Sequence, residues 1–260
     1  MVYQGKRKSL GTPQYVALGS SFAAGVGLGK RAPGTPYACF GSVNGYPQQL
    51  ARLLGLSLVD VTCSNATTDH VLRGGQYFQA GQIDAIAAAT ELVTLTSGGN
   101  DVNYIGDLLL MAKRGSLLGT AMRLKMGEPK PVDARSFPEF EQNLRAVLRE
   151  IRRRAPRATI VVVTYPTVLP VSDTCPTLGI TATEATFMRP VASRLAEITR
   201  SVAKAEGAVV VDMAELGKDH DACSADPWVN GVAPETGTPF HPNLQGAAAT
   251  ANAIAARLRR

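Results

Sequence analysis

An unbroken apolar run at residues 159–164, with the sequence TIVVVT, narrows the folds open to this chain more than any other feature. A strand with one solvent-exposed face alternates apolar and polar residues, whereas a strand buried on both faces shows a continuous apolar run. Such doubly buried strands belong almost only to parallel sheets, because helical crossovers cover both faces. The run therefore predicts an α/β protein.

The rest of the chain alternates between strand and helix patterns. Four further strands are predicted at residues 14–19, 56–62, 91–96 and 209–212, and helices at residues 46–54, 82–90, 104–113, 137–154, 184–205 and 245–258. Strands that alternate with helices indicate βαβ units with right-handed crossovers. We therefore expect a three-layer α/β/α sandwich with a central five-stranded parallel sheet. Residues 115–135 show weak periodicity and are interpreted as an irregular insertion.

Length and composition agree with this architecture. The chain has 260 residues, of which 45% are hydrophobic and 18% charged, as expected for a globular domain. We expect a single domain over residues 14–260, after a flexible N-terminal segment at residues 1–13. That segment is polar and basic and lacks the apolar core of a signal peptide. No apolar run reaches the length of about 18 residues that would predict a membrane-spanning helix.

The chain carries a formal net charge of +6 at pH 7, which raises the question of an anionic partner. The basic residues are spread along the chain, and their densest run, Arg152 to Arg154, ends a predicted helix. Cations are favoured at helix C-termini, so this run has a structural explanation. We therefore expect no nucleic-acid partner, while peripheral contact with a lipid surface stays open.

Four cysteines are present, at positions 39, 63, 175 and 223. None of them forms a C-x-x-C pair, so a structural zinc site is not expected. An even number of well-separated cysteines fits two disulfides in an oxidising compartment, with three possible pairings. The alternative is four buried free thiols in a cytosolic protein.

Chemically useful side chains follow several of the predicted strands. Ser21 follows the first strand, Asn65 the second and Asn100 the third, and His241 comes after the fifth in a long polar loop. Ligands bind at the carboxyl ends of the strands in open parallel sheets, so these loops should converge on one edge. A hydroxyl, an imidazole, an amide and free backbone N–H groups are the set that acyl transfer through a tetrahedral intermediate needs.

Three sequence blocks in order carry a family resemblance. They are ALGSSFAAG at residues 17–25, Gly99-Asn100-Asp101, and the histidine at position 241. Over residues 15–256 the chain resembles the SGNH (GDSL-like) hydrolase family, most closely its secreted actinobacterial-type lipases and esterases. The resemblance implies the flavodoxin-like fold of that family. It also implies a serine hydrolase that cleaves carboxylic esters through an acyl-enzyme, with no cofactor and no metal.

Carried over by position, the resemblance assigns the catalytic roles. Ser21 is the nucleophile, and His241 is the base that takes its proton and returns it to the leaving alcohol. The N–H of Ser21, the N–H of Asn65 and the side-chain amide of Asn100 form the oxyanion hole. Losing one such donor costs about 3 kcal/mol of transition-state stabilisation.

Three positions depart from the family pattern. Ser20 stands where an Asp usually precedes the nucleophile, and Asn65 stands in place of a Gly, although Asn tolerates positive φ better than other side chains do. Thr238 occupies the place of the Asp that orients the histidine. Similar members use a backbone carbonyl there, so we expect a Ser-His dyad in which the carbonyl of Thr238 orients His241. Asp226 is the alternative residue for orienting the histidine.

The resemblance also implies the cysteine pairing and the cellular location of the protein. The expected disulfides are Cys39–Cys63 and Cys175–Cys223. The protein is expected to be secreted or extracytoplasmic with any signal already removed, and to act as a monomer. Its partner is expected to be an ester or lipid small molecule.

Other functions remain open. A phospholipase or a carbohydrate deacetylase would use the same site, and a non-catalytic ligand-binding protein would use the same fold. A third alternative is a phosphate-binding loop at residues 25–30 (GVGLGK). The nucleotide motifs need a helix after the loop, and here Arg31 follows Lys30 while Pro33 and Gly34 oppose a helix.

Overall fold

The computed structural model describes residues 14–259; the predicted flexible segment at residues 1–13 and the last residue lie outside it. Five strands form one sheet in the order β2-β1-β3-β4-β5, with every neighbouring pair parallel. The strands are β1 Tyr15–Gly19, β2 Leu58–Asp60, β3 Leu92–Thr96, β4 Thr159–Val163 and β5 Val209–Val211. The predicted central five-stranded parallel sheet is confirmed.

Nine α-helices belong to the described residues. They are α1 Ser21–Ala24, α2 Tyr46–Leu54, α3 Thr68–Arg73, α4 Tyr104–Ala112, α5 Leu117–Met126, α6 Phe137–Arg154, α7 Ala182–Ala205, α8 Met213–Leu216 and α9 Leu244–Leu258. Short 3₁₀ turns occur at Tyr37–Cys39, Gln76–Phe78, Gln82–Ala85, Val132–Ala134 and Pro176–Leu178. None of the helices within residues 14–259 combines the length and the apolar character that crossing a bilayer requires.

Two of the predicted segments have a different structure. The helix predicted at residues 82–90 is wrong: only the 3₁₀ turn Gln82–Ala85 forms, because Ile83 and Ile86 are buried and Gln82 bonds to the backbone of β1. Tertiary contacts override the helix propensity of this Ala-rich segment. The interpretation of residues 115–135 as irregular is also wrong, because α5 lies within them.

Two apolar clusters fill the space on either side of the sheet. Side chains alternate between the faces of a strand, so Val16 and Leu18 of β1 join one cluster while Tyr15 and Ala17 join the other. The first cluster includes residues of α3, α4, α6 and α7, and the second includes residues of α1, α2 and α9. The sheet is therefore covered on both faces, which is the predicted sandwich.

The register of the sheet brings the loops of the site together. β1 and β3 pair over five residues, from Tyr15 with Leu92 to Gly19 with Thr96, so the two strands end level. The loop that begins at Ser20 and the loop that begins at Ser97 therefore start side by side at the carboxyl edge of the sheet.

Candidate active site

Gly19 ends β1 and turns the chain toward the first helix. Its φ is 141°, and a Cβ at this position would lie 2.4 Å from the carbonyl oxygen of Thr96. The N–H of Ser20 donates to the same oxygen at 2.9 Å, which fixes the turn to the neighbouring strand. Ser21 then begins α1, and the left-handed Gly25 ends it. This turn places the Ser21 side chain at the carboxyl edge of the sheet.

Ser21 and His241 contact each other although 220 positions separate them in the chain, with Oγ and Nε2 2.8 Å apart. Each residue is only 8% exposed. Burial lowers the pKa of His241 to about 4, and the hydrogen bond to Pro239 opposes that shift. The Phe22 ring lies 4.8 Å from the imidazole and covers it. At neutral pH the imidazole is therefore uncharged and able to accept the Ser21 proton.

The carbonyl that holds His241 belongs to Pro239, which corrects the expectation that Thr238 would hold it. His241 Nδ1 lies 2.7 Å from the Pro239 oxygen. The Thr238 oxygen accepts instead from the His241 backbone N–H at 3.2 Å and from Asn230 Nδ2 at 3.2 Å. Phe240 is fully buried in a left-handed conformation, with φ 59°, and this bend turns the Pro239 carbonyl toward the ring.

Asp226, the fallback for orienting the histidine, is engaged elsewhere. Its carboxylate accepts from Gln245 Nε2 at 2.9 Å, and its backbone oxygen lies 2.7 Å from Nδ1 of His220. His220 in turn stacks on Trp228 with ring centroids 4.0 Å apart. These contacts hold the loop that carries His241, and the Asp226 carboxylate makes none with His241 itself.

The turn that contains Asn65 follows β2 and carries the backbone N–H that is predicted to belong to the oxyanion hole. Asn65 has φ 64°, the left-handed conformation that the substitution of Gly by Asn predicts. Among residues 14–259, neither its N–H nor that of Ser21 has a hydrogen-bond partner. The Cys39–Cys63 disulfide and the bond from the Ser64 N–H to the Cys39 oxygen, at 3.1 Å, fix this turn.

Both disulfides have the expected pairing. Cys39–Cys63 links the loop after α1 to the turn after β2, and Cys175–Cys223 links the loop after β4 to the loop after α8. The described cysteines include no free thiol. The second bridge thus connects two of the loops at the carboxyl edge.

Asn100 directs its side-chain amide between the loops after β2 and β3. One amide hydrogen is donated to the Ala66 oxygen at 2.9 Å, which leaves the second hydrogen for another acceptor. The adjacent Asp101 carboxylate accepts from the N–H of Thr68 at 3.1 Å and also from its hydroxyl. Burial raises the pKa of Asp101. Asp101 therefore fixes the start of α3 relative to the Asn100 loop.

Comparison with known proteins identifies the family. The sequence profile of the GDSL-like Lipase/Acylhydrolase family matches residues 17–249. The chain belongs to this family. Lipase 2 of Streptomyces coelicolor is 32% identical over 250 residues, which cover 90% of this chain and 82% of that lipase. The expectation of an ester hydrolase is confirmed at the level of the family.

Solved structures agree with this assignment. Phospholipase A1 from Streptomyces albidoflavus NA297 matches with a TM-score of 0.75 at 26% identity, and the match covers 95% of this chain and all of that one (100%). The extracellular lipase from Streptomyces rimosus matches with a TM-score of 0.74 at 24% identity, over 94% of this chain and 98% of that one. The second match supports the fold alone.

Two residues of this GDSL-like hydrolase support the site but were not predicted from the sequence. The hydroxyl groups of Tyr165 and Ser20 lie 2.9 Å apart, and the Tyr165 oxygen accepts from the Gly99 N–H at 3.0 Å. The amide of Gln82 accepts from the Gly19 N–H at 2.7 Å and donates to the Gly19 oxygen at 3.0 Å. Tyr165 lies two residues beyond the end of β4, in the region where site residues occur in this fold, whereas Gln82 carries no signal in the sequence.

Two polar cavities adjoin Asn100. One, of about 140 Å³, is lined by residues of the Asn100 loop, the start of α3 and the start of α6. The other, of about 320 Å³, is lined by the Asn100 loop, α4 and the segment from Met126 to Ser136. The described residues contain no group of three or more His, Cys, Asp or Glu side chains that could hold a metal ion.

The phosphate-loop alternative has no support in the structure. Residues 25–30 lead into a β-bridge between Arg31 and Ser42, and no helix follows them directly. The carbonyl oxygen of Leu28 accepts from the side chains of Ser42 and Asn44 at 3.0 and 2.8 Å. The loop is folded on itself and does not form the helix N-terminus that the nucleotide motif requires.

Proposed function

We propose that this chain hydrolyses carboxylic esters through an acyl-enzyme formed on Ser21. The observation that carries the proposal is the 2.8 Å separation of Ser21 Oγ and His241 Nε2 in a buried site. A neutral imidazole at that distance activates a hydroxyl as a nucleophile. Nδ1, bonded to a main-chain oxygen, carries the proton of the neutral ring, which leaves the Nε2 lone pair for Ser21.

In acylation, Ser21 Oγ attacks the ester carbonyl carbon while its proton moves to His241 Nε2. The carbonyl oxygen becomes an oxyanion, which accepts hydrogen bonds from the N–H groups of Ser21 and Asn65 and from the Asn100 amide. The intermediate collapses, the bond to the alkoxy oxygen breaks, and the proton on Nε2 passes to the leaving alcohol. The products of this half-reaction are the free alcohol and an ester on Ser21.

In deacylation, water takes the place of the alcohol. His241 removes a proton from the water as its oxygen attacks the acyl carbon, and the same three donors stabilise the second oxyanion. Collapse breaks the bond to Ser21 Oγ, which regains its proton from Nε2. The carboxylic acid leaves and the resting dyad is restored.

The proposed substrates are lipid esters. The relative at 32% identity is named a lipase, and a structure at 26% identity is named phospholipase A1. The phospholipase A1 match makes phospholipid hydrolysis the second candidate.

The proposed setting is outside the cytoplasm. Disulfides persist in oxidising compartments, and two are present here. That the protein acts as a monomer stays a prediction.

The experiment is a panel of p-nitrophenyl esters of rising chain length together with a phospholipid, run with the Ser21→Ala variant as control. We expect wild-type turnover and a fall of about 10⁴-fold or more in the variant. A fluorophosphonate should label Ser21 in the wild type only. Absence of both turnover and labelling would instead support the non-catalytic binding protein, and selective release of acetate from acetylated sugars would support the deacetylase.

A further inference from the structure

Helix α5 (Leu117–Met126) exposes an apolar face to solvent. Leu117 is 92% exposed and Leu124 is 86% exposed, and the exposed Ala121 lies between them. Positions i, i+4 and i+7 of a helix lie on one face, so the three residues form a stripe. The apolar stripe of a helix in a soluble domain normally faces the core. Here it faces outward.

The opposite face of α5 holds the helix on the protein. Gly119 is buried, and a Cβ there would lie 2.1 Å from the Lys113 oxygen. Met122 is half-buried, and the end of the Met126 side chain would lie 2.8 Å from a Cβ on Gly106 of α4. The helix is thus attached through Gly119 and its two Met side chains. No other element within residues 14–259 covers its leucine stripe.

The segment that carries the stripe is rich in basic residues. Residues 113–130 contain five basic side chains and one acidic side chain. Two of the basic residues, Arg114 and Arg123, form ion pairs with Glu184 and Glu128. The other three, Lys113, Lys125 and Lys130, form no ion pair with any residue between 14 and 259. An apolar stripe flanked by unneutralised lysines is complementary to an anionic lipid surface.

The helix lies next to the candidate active site. Met126 at its end, together with Glu128 and Lys130, lines the cavity of about 320 Å³ whose other walls include Asn100 and Asp101. A lipid surface that contacts the leucine stripe would therefore lie on the outer face of a helix whose inner face borders a cavity beside Asn100. This position distinguishes α5 from exposed apolar residues on the other face of the sheet.

We propose that α5 is the helix by which this hydrolase docks on anionic lipid surfaces, with Leu117 and Leu124 entering the interface and the lysines contacting headgroups. The proposal rests on the proposed function, because docking brings the lipid to the same site. Burial of each leucine in the lipid contributes to the free energy of binding. The attraction between the lysines and anionic headgroups makes the binding sensitive to salt.

The test measures sedimentation with vesicles in a Ser21→Ala background, so that the lipid is not consumed. The vesicles are phosphatidylcholine alone or an equimolar mixture of phosphatidylcholine and phosphatidylglycerol. Leu117→Gln with Leu124→Gln removes the stripe while keeping charge and helix propensity. The matched control is Leu53→Gln, a half-exposed leucine (47%) of α2 on the other face of the sheet.

We expect preferential binding to the anionic vesicles, weakened by salt. The double variant should bind them roughly tenfold more weakly for each leucine, and Leu53→Gln should bind normally. Three results would overturn the proposal: normal binding by the double variant, an equal loss in Leu53→Gln, or equal binding to both kinds of vesicle. With Ser21 restored, every one of these variants should turn over a soluble p-nitrophenyl ester normally. Failure of that assay in the wild type would instead reject the proposed function.

Discussion

The carbonyl oxygen of Pro239 lies 2.7 Å from Nδ1 of His241. This bond fixes the ring so that Nε2 meets Ser21 Oγ at 2.8 Å. A main-chain carbonyl orients the imidazole as a carboxylate would, but it carries no full charge with which to stabilise an imidazolium. The proposed catalytic pair is therefore a dyad whose geometry depends on the backbone of the loop before His241.

Asp226→Ala should leave kcat on a soluble ester unchanged, because the Asp226 carboxylate bonds to Gln245. The measurement is steady-state turnover, with Asp219→Ala, an exposed carboxylate in the same loop, as control. If Asp226 oriented the histidine, its loss would lower kcat by as much as about 10⁴-fold. A fall approaching that size would reject the carbonyl-held dyad.

The acid limb of kcat/KM for a soluble ester should have its midpoint near pH 4. Burial lowers the pKa of His241 to about 4, so the base form persists on acidification until the pH reaches that value. A histidine in water would lose its base form near its ordinary pKa of about 6.5. A midpoint near 6.5, with circular dichroism showing the fold intact, would contradict this prediction.

Asn65→Gly should retain activity, whereas Asn65→Val should lower kcat. The proposed donor is the backbone N–H, and Asn65 holds it with φ 64°. Glycine adopts this conformation freely, while a β-branched residue is strained there by about 1–3 kcal/mol. Displacing one oxyanion donor costs about 10²-fold or more in kcat. Equal losses in both variants would show that the Asn65 side chain matters, for instance through its contact with Tyr77.

Tyr165→Phe should lower stability and kcat more than Ser20→Ala does. The Tyr165 hydroxyl contacts both Ser20 Oγ and the Gly99 N–H, so its removal leaves the N–H beside Asn100 without an acceptor. An unsatisfied buried group costs about 1–3 kcal/mol. Denaturant unfolding and kcat measure the two effects. Equal effects of the two substitutions would indicate that only the contact between the two hydroxyl groups matters.

Removal of either disulfide should destabilise the protein, but the effects on kcat should differ. The bridges close 24 and 48 positions, for which chain entropy gives about 3.5 and 4 kcal/mol. Replacement of Cys39 and Cys63 by Ser should also lower kcat, because that bridge fixes the Asn65 turn. Replacement of Cys175 and Cys223 should leave kcat closer to wild type at a temperature where both variants are folded. A larger loss of kcat on replacing Cys175 and Cys223 than on replacing Cys39 and Cys63 would contradict this prediction.

The sequence predicted elements whose signals are local. Helices α2 and α6 have the predicted bounds, since α2 ends at the left-handed Gly55 and the buried residues of α6 follow one helical face. Ser21, Asn65, Asn100 and His241 were predicted as site residues because each follows a strand and matches the family resemblance. The structure brings Ser21 and His241 into contact, and the roles of Asn65 and Asn100 stay predictions.

Features that depend on distant contacts were not predicted. Gln82 bonds to Gly19 across 63 positions, and that contact replaces the helix expected around it. The choice of Pro239 over Thr238 depends on the left-handed φ of Phe240, which its residue type does not suggest. Helix α5 was missed because the glycines and prolines of residues 115–135 weaken the helical pattern of that segment.

The 220 positions between Ser21 and His241 have a consequence for the maturation of this protein. Ser21 follows the first strand of the sheet and His241 comes just before α9, so neither has its proposed partner until the residues between them have folded. Partly folded chains would carry an ordinary, unreactive serine. A hydrolase built this way becomes reactive only when these two distant segments have met.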